Sequence, residues 1–204
     1  MDTTQQPNTL INWKDAHSGG FKSLQKRIGE VEAAAKLHKS FQMSLVPGLL
    51  QTPEYANWVI SGAGVDYSPA RHLSEAVKAR IRRQAILENP NKLFMYLIYE
   101  PALTRAVPGG IMKEQFEHLK RSMKRENIVL GVIPLASGLP VIPTNSFNIF
   151  DDMLVHAETF SEHLELENEW DVAVYVKAYE QLKDVALWDE EAERFLEDLA
   201  RRQS

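Results

Sequence analysis

At 204 residues, 44% hydrophobic and 25% charged, the chain has room for one domain with a substantial core. Its net charge of −5 argues against a broad basic face for nucleic acid. The absence of cysteine excludes disulfides, zinc–thiolate sites, iron–sulfur clusters and a cysteine nucleophile. No signal-peptide core is visible, and no apolar run reaches the roughly 18–20 residues that span a bilayer. A cytoplasmic protein without membrane contact is the expectation.

Residues 1–20 read as a polar arm anchored by Trp13. Leu24, Ile28, Val31 and Ala35 recur at helical spacing and predict an amphipathic helix over about 21–38. Phe41, Met43 and Leu45 alternate with other residues, which suggests a short extended segment. Pro47-Gly48 has the residues of a type II turn. Thr52-Pro53 is a helix start, with Thr as cap and Pro in the first turn. Ser68-Pro69 repeats the signal for a helix running to about Glu88.

Leu93–Tyr99 is an apolar and aromatic run of strand length. Met112, Phe116, Leu119 and Met123 predict another helix, and 127–133, 146–150 and 153–157 read as strands. Asp151-Asp152 is a hairpin turn between the last two, and 134–144 is a loop. Two helices close the chain over about 168–183 and 190–202, the second capped by Asp189. The expected fold is α+β: a helical N-terminal half packed on a small, mainly antiparallel sheet with flanking helices. Residues 21–204 then form a single domain, with a helical part over 21–89 and a sheet-containing part over 90–204.

The run Leu45-Val46-Pro47-Gly48-Leu49-Leu50-Gln51-Thr52-Pro53-Glu54-Tyr55-Ala56 resembles a family signature. So do 24–35, Ala79–Gln84 and Glu100–Gly109, so the resemblance covers about 21–200. The family is the actinobacterial domain of unknown function that follows an XRE-type helix-turn-helix in WhiJ-like regulators. The resemblance implies a sensor or docking domain of a transcriptional regulator, often paired with a small acidic partner protein. Residues 1–20 are too short for a three-helix DNA-binding module. The expectation is therefore a chain without its own module, either a piece of a longer regulator or a stand-alone paralogue.

On the 69–88 helix, Gln84 falls on the apolar face and Arg80 at its edge, with Arg83 nearby. Such residues need partners or line a pocket. Glu100 ends an apolar strand and Arg105 follows, which suits either an ion pair or a polar anchor. Gln51 stands at a helix N-terminus, where free amides attract anions, and Tyr55 follows on that helix. The proposed ligand-lining set is Gln51, Tyr55, Arg80, Gln84, Glu100 and Arg105, placed between the N-terminal helices and the sheet. His156/Glu158 and His163/Glu165 are two His-x-Glu pairs. Without an HExxH their spacing is undemanding, so no metal and no cofactor is expected, and the histidines read as solvated or capping. No dinucleotide fingerprint, phosphate loop or nucleophile elbow is present.

Two functions fit. The first is a regulatory domain that senses a small-molecule metabolite or docks the acidic partner, with a homodimer possible and no direct nucleic-acid contact. The second is a stand-alone enzyme of specialised metabolism, of cyclase or isomerase type, using the same pocket with Glu100 as acid or base.

Overall fold

The apolar run Leu93–Tyr99 forms β3, and its six-residue flanks on either side are both parallel to it: β2 (Leu37–Gln42) and β4 (Ile128–Ile133). The computed structural model describes residues 9–12, 21–62, 70–108, 110–159 and 162–203. Beyond β2 the sheet continues antiparallel through β5 (Phe147–Phe150), β6 (Leu154–Glu158), β7 (Glu162–Leu166) and β1 (Thr9–Asn12). The seven strands lie in the order β1-β7-β6-β5-β2-β3-β4. Trp13 and Ser68-Pro69 fall outside the described residues.

The sheet is therefore mixed, not mainly antiparallel, and helices are spread along the chain rather than collected in its first half. The overall α+β class stands. Parallel neighbours need long crossovers, and helices supply them. Between β2 and β3 run α2 (Pro53–Gly62) and α3 (Ala70–Arg83), which ends in a 3-10 turn at Gln84–Glu88. Between β3 and β4 run the short α4 (Pro101–Thr104) and α5 (Ile111–Ser122). The first half also contributes β2, a central strand, and four residues of the expected arm form the edge strand β1.

Local chemistry explains several boundaries. The first helix, α1 (Phe21–Ala34), stops short of residue 38 because Leu37 already starts β2. Lys92 reaches back to the end of α1 and donates to the carbonyls of Glu32, Ala33 and Ala35, groups the helix leaves unsatisfied. Asp151 and Asp152 both adopt positive φ (53° and 55°), the pattern of the two-residue hairpin expected between β5 and β6. The Asp151 carboxylate also accepts from the Lys36 and Leu37 amides, at 2.9 and 2.7 Å, and so ties this turn to the start of β2.

The Thr52 hydroxyl accepts from the Tyr55 amide (3.2 Å), as a capping threonine should. Pro47-Gly48 differs from expectation. Among the described glycines only Gly110 has positive φ, and Gly48 instead opens a 3-10 turn, Gly48–Leu50, closed by Leu50 N to Pro47 O at 2.8 Å. Asp189 differs as well: it is the first residue of the last helix, α7 (Asp189–Arg202), at φ 47°, and its side chain caps nothing.

Apolar residues cover both faces of the β3–β4 half. On one face Phe94, Tyr96, Ile98, Ile128, Leu130 and Val132 meet α2, α5 and α7. On the other, Leu97, Ile133, Phe41, Phe147 and Val155 meet α6 (Glu169–Lys183) and Trp188. No helix among the described residues is long and apolar enough to cross a membrane.

Gly131 marks the tightest contact in this core. A Cβ there would stand 2.7 Å from Trp188 Cη2 and 3.0 Å from Leu97 Cδ2. Gly131→Ala is expected to cost about 1–3 kcal/mol by overpacking, read as a lower urea midpoint with Trp188 fluorescence as probe. An unchanged midpoint would mean that Trp188 yields freely.

Candidate functional site

The same face of the sheet that is apolar under β3 and β4 turns polar from β2 outward. Strand pairing places Ser40, Asn148, His156 and Glu165 in one row across β2, β5, β6 and β7. Glu158 and His163 form part of the next row, and His38 and Gln42 sit on the same face of β2. Over these rows lie α1 and α3, and charged side chains of both helices reach into the layer. Arg27 donates to Glu165 Oε2 at 2.6 Å. Arg83 holds Glu32 through two bonds, 2.9 and 2.6 Å, with Glu32 only 5% exposed.

Hydrogen bonding in this layer is incomplete. His38 Nε2 meets Asn148 Oδ1 at 3.1 Å, and Gln42 donates to Ser40 Oγ at 3.0 Å. Of the six buried side-chain polar atoms without a hydrogen-bond partner among the described residues, five lie here: His38 Nδ1, Arg80 Nε, Tyr96 Oη, His156 Nε2 and His163 Nδ1. Each such atom costs about 1–3 kcal/mol if left dry. Their gathering on one face sets this layer apart from the apolar cores.

Electrostatics separate the two imidazoles of β6 and β7, whose ring centroids are 4.8 Å apart. Burial lowers His163, but Glu158 and Glu165 on either side outweigh it and raise it to about 9. Burial, then the charge of His163, lower His156 to about 4. Burial and Arg83 lower Arg80 to about 10. Burial, with Glu32 nearby, pushes the Tyr96 hydroxyl well above its ordinary value. The histidines expected to be solvated are thus buried, His38 at 5%, His156 at 3% and His163 at 2% exposure. The sheet register puts them on the covered face.

Three of the six residues expected to line a ligand meet one another. Arg80 Nη1 donates to Gln51 Oε1 (2.9 Å), Gln84 Nε2 donates to Gln51 O (2.6 Å), and Gln51 Nε2 donates to Val46 O (2.8 Å). Tyr55 joins through Val46, whose amide donates to Tyr55 Oη at 3.2 Å. Gln115, not singled out in the sequence, seals the same corner by bonding Leu50 O and the Thr52 amide. Glu100 and Arg105 are engaged elsewhere. Glu100 Oε2 accepts from the Leu135 amide at 2.7 Å, and Arg105 Nε donates to Ser44 O at 3.1 Å. Neither forms an ion pair with the other or with Arg80. His38, Tyr96, Asn148 and Glu32 gave no signal in the sequence, because only the strand pairing and the α1–α3 cover bring them together. A cleft of about 580 Å³ lies away from this layer, lined by Glu88, Asn91, Lys92, Arg125 and Asn127. Of its charged groups, Arg125 pairs with Glu88 at 2.6 Å and Lys92 with the end of α1.

The fold defines an α+β protein with a mixed sheet and a polar, helix-covered half-face. A family of domains of unknown function, DUF5753, matches residues 25–198, and the chain belongs to it. No curated protein matches. Solved structures similar to it include NucT from Helicobacter pylori (13% identity, 90% of this chain and 99% of that one, TM-score 0.47). The phospholipase D family member Nuc from Salmonella typhimurium gives 11% identity, 90% and 97% coverage and TM-score 0.48. The archaeal chromatin protein TrmBL2 gives 10%, 90%, 55% and 0.42. Likenesses this distant carry no argument about activity.

The Arg83–Glu32 pair is a two-bond, largely buried clamp between α3 and α1. Arg83→Met strands a buried carboxylate and is expected to cost about 3–5 kcal/mol in urea unfolding. Adding Glu32→Gln to it should recover much of that loss. A double variant no more stable than Arg83→Met would show that the pair is not the element that holds α3 to α1.

Proposed function

We propose that this chain is the ligand-responsive domain of a WhiJ-like regulator, acting on an XRE-type DNA-binding module in cis or in trans. The carrying observation is the set of five unpartnered buried polar atoms between the sheet and the α1–α3 pair. A layer held by charged pairs, with hydrogen-bonding capacity left over, is a helix-to-sheet contact that a ligand can tighten. Arg80 sits at its edge with Nε–H free, and with Arg83 it favours an anionic group on the ligand.

The ligand class is a small polar metabolite bearing such a group. Binding it shifts the population toward the form in which α1 and α3 lie closed on β2, and that shift is what a DNA-binding module or a small acidic partner reads. Glu100, the acid–base candidate of an enzyme reading, accepts from the Leu135 amide and is not among the residues that support the sensing reading.

Native mass spectrometry of the chain isolated without denaturation is the test. A discrete organic mass on the order of a few hundred daltons is expected, together with slower amide exchange concentrated in α1 and α3. A bare chain whose exchange in α1 and α3 does not respond to extracts of its host would overturn the reading. A chain carrying a second protein instead would make it a docking module.

A further inference from the structure

His156, His163 and Glu165 converge so that one ligand atom from each lies within 4.8 Å of the others. Glu165 Oε1 is the shared vertex, 3.7 Å from His156 Nε2 and 3.5 Å from His163 Nε2. These separations are too long for hydrogen bonds between charged groups, which close to about 2.7–2.9 Å. Both approach the edges of about 3.3–3.4 Å in a tetrahedron whose centre is about 2.0–2.1 Å from each ligand, and the two imidazole nitrogens, within 4.8 Å of each other, would draw together on an ion. The pairing of His156 with Glu165 and of Glu158 with His163 across β6 and β7 fixes all of them on one face.

We propose that His156, His163 and Glu165 bind one divalent first-row transition-metal ion, with zinc as the natural occupant. Two imidazoles and one carboxylate suit zinc and its neighbours better than magnesium or calcium, which favour oxygen ligands alone. Three protein ligands leave a fourth position open. His156 Nε2 is buried and has no hydrogen bond. Arg27 occupies Glu165 Oε2 at 2.6 Å, which leaves Oε1 to face both imidazoles. Glu158 Oε1 stands 3.6 Å from His163 Nδ1, the ring nitrogen away from the ion, where a carboxylate orients a metal-bound histidine. Arg27 pairs with Glu165 and Arg80 faces Glu158, so a bound dication would leave net positive charge and the open position suits an anion. The site shares His156 and His163 with the layer of the sensing reading but does not rest on that reading, since strands β6 and β7 alone supply its ligands.

The test is titration of the tag-free full chain, stripped with a chelator, with Co²⁺ alone. One equivalent is expected to bind with the intense visible absorption of low-coordinate cobalt, and Zn²⁺ should displace it. His156→Gln and Glu165→Gln should abolish the signal, while His118→Gln, outside the cluster, should leave it intact. Glu158→Ala removes only the orienting carboxylate at an exposed position and should weaken binding by about 10- to 100-fold. It decides the matter if the buried-site variants do not fold. Absence of saturable binding, octahedral cobalt spectra unaltered by His156→Gln, or full affinity in Glu158→Ala would each overturn the assignment.

Discussion

The polar face of β2 is the constraint that organises this protein. His38, Ser40 and Gln42 point to one side of a strand that is central in the sheet, where His38 and Ser40 have almost no access to water. A buried polar row must be answered by polar neighbours, because each unmet group costs more than a hydrogen bond returns. The neighbouring strands therefore continue the row with Asn148, His156 and Glu165, and the covering helices bring Arg27, Glu32, Arg80 and Arg83 to meet it. The composition of α1 and α3 follows from what they cover.

That arrangement divides the fold into two regimes. Under β3 and β4, large apolar side chains fill the space on both faces, and the Gly131–Trp188 contact shows how little slack remains. Under the α1–α3 pair the apolar contribution shrinks to a small cluster of Ile60 and Ala76 with Leu73 and Val77 packed on it. Cohesion there comes from directional pairs that hold only at particular geometries. One half of the fold is thus packed by large apolar side chains and the other is held by charged pairs.

Two features keep the polar half in register. The Asp151 carboxylate ties the β5–β6 turn to the amides that open β2, and Lys92 pins the end of α1 to the start of β3. Lys39, on the opposite face of β2, is buried between Asp152 and Glu180 and lies 5.7 Å from the Tyr179 ring. Polar anchoring thus enters the sheet from both sides of this one strand. It fixes where β5 and β6 sit, and hence where His156 faces.

Elements whose signal is local were legible in the chain. Leu93–Tyr99 reads as a strand, Thr52-Pro53 as a helix start and Asp151-Asp152 as a hairpin turn, because apolar runs, capping hydroxyls and turn residues act over a few residues. Arg80 and Gln84 also stand out, as polar groups on or beside an apolar helical face, and Gln51 does at a helix start, although not the fact that Gln51 is the common partner of the other two. The central position of β2 was hidden by its own function: Leu37-His38-Lys39-Ser40-Phe41-Gln42 has the hydrophilic look of a surface segment because its buried face is polar. Glu32 on Arg83, and His156 beside His163 and Glu165, are meetings of residues that only parallel crossovers and cross-strand register bring together. Sequence by itself determined the units and their chemistry. Tertiary structure decided which polar groups share a dry space, since burial and partnership are properties of the packed sheet and not of the chain.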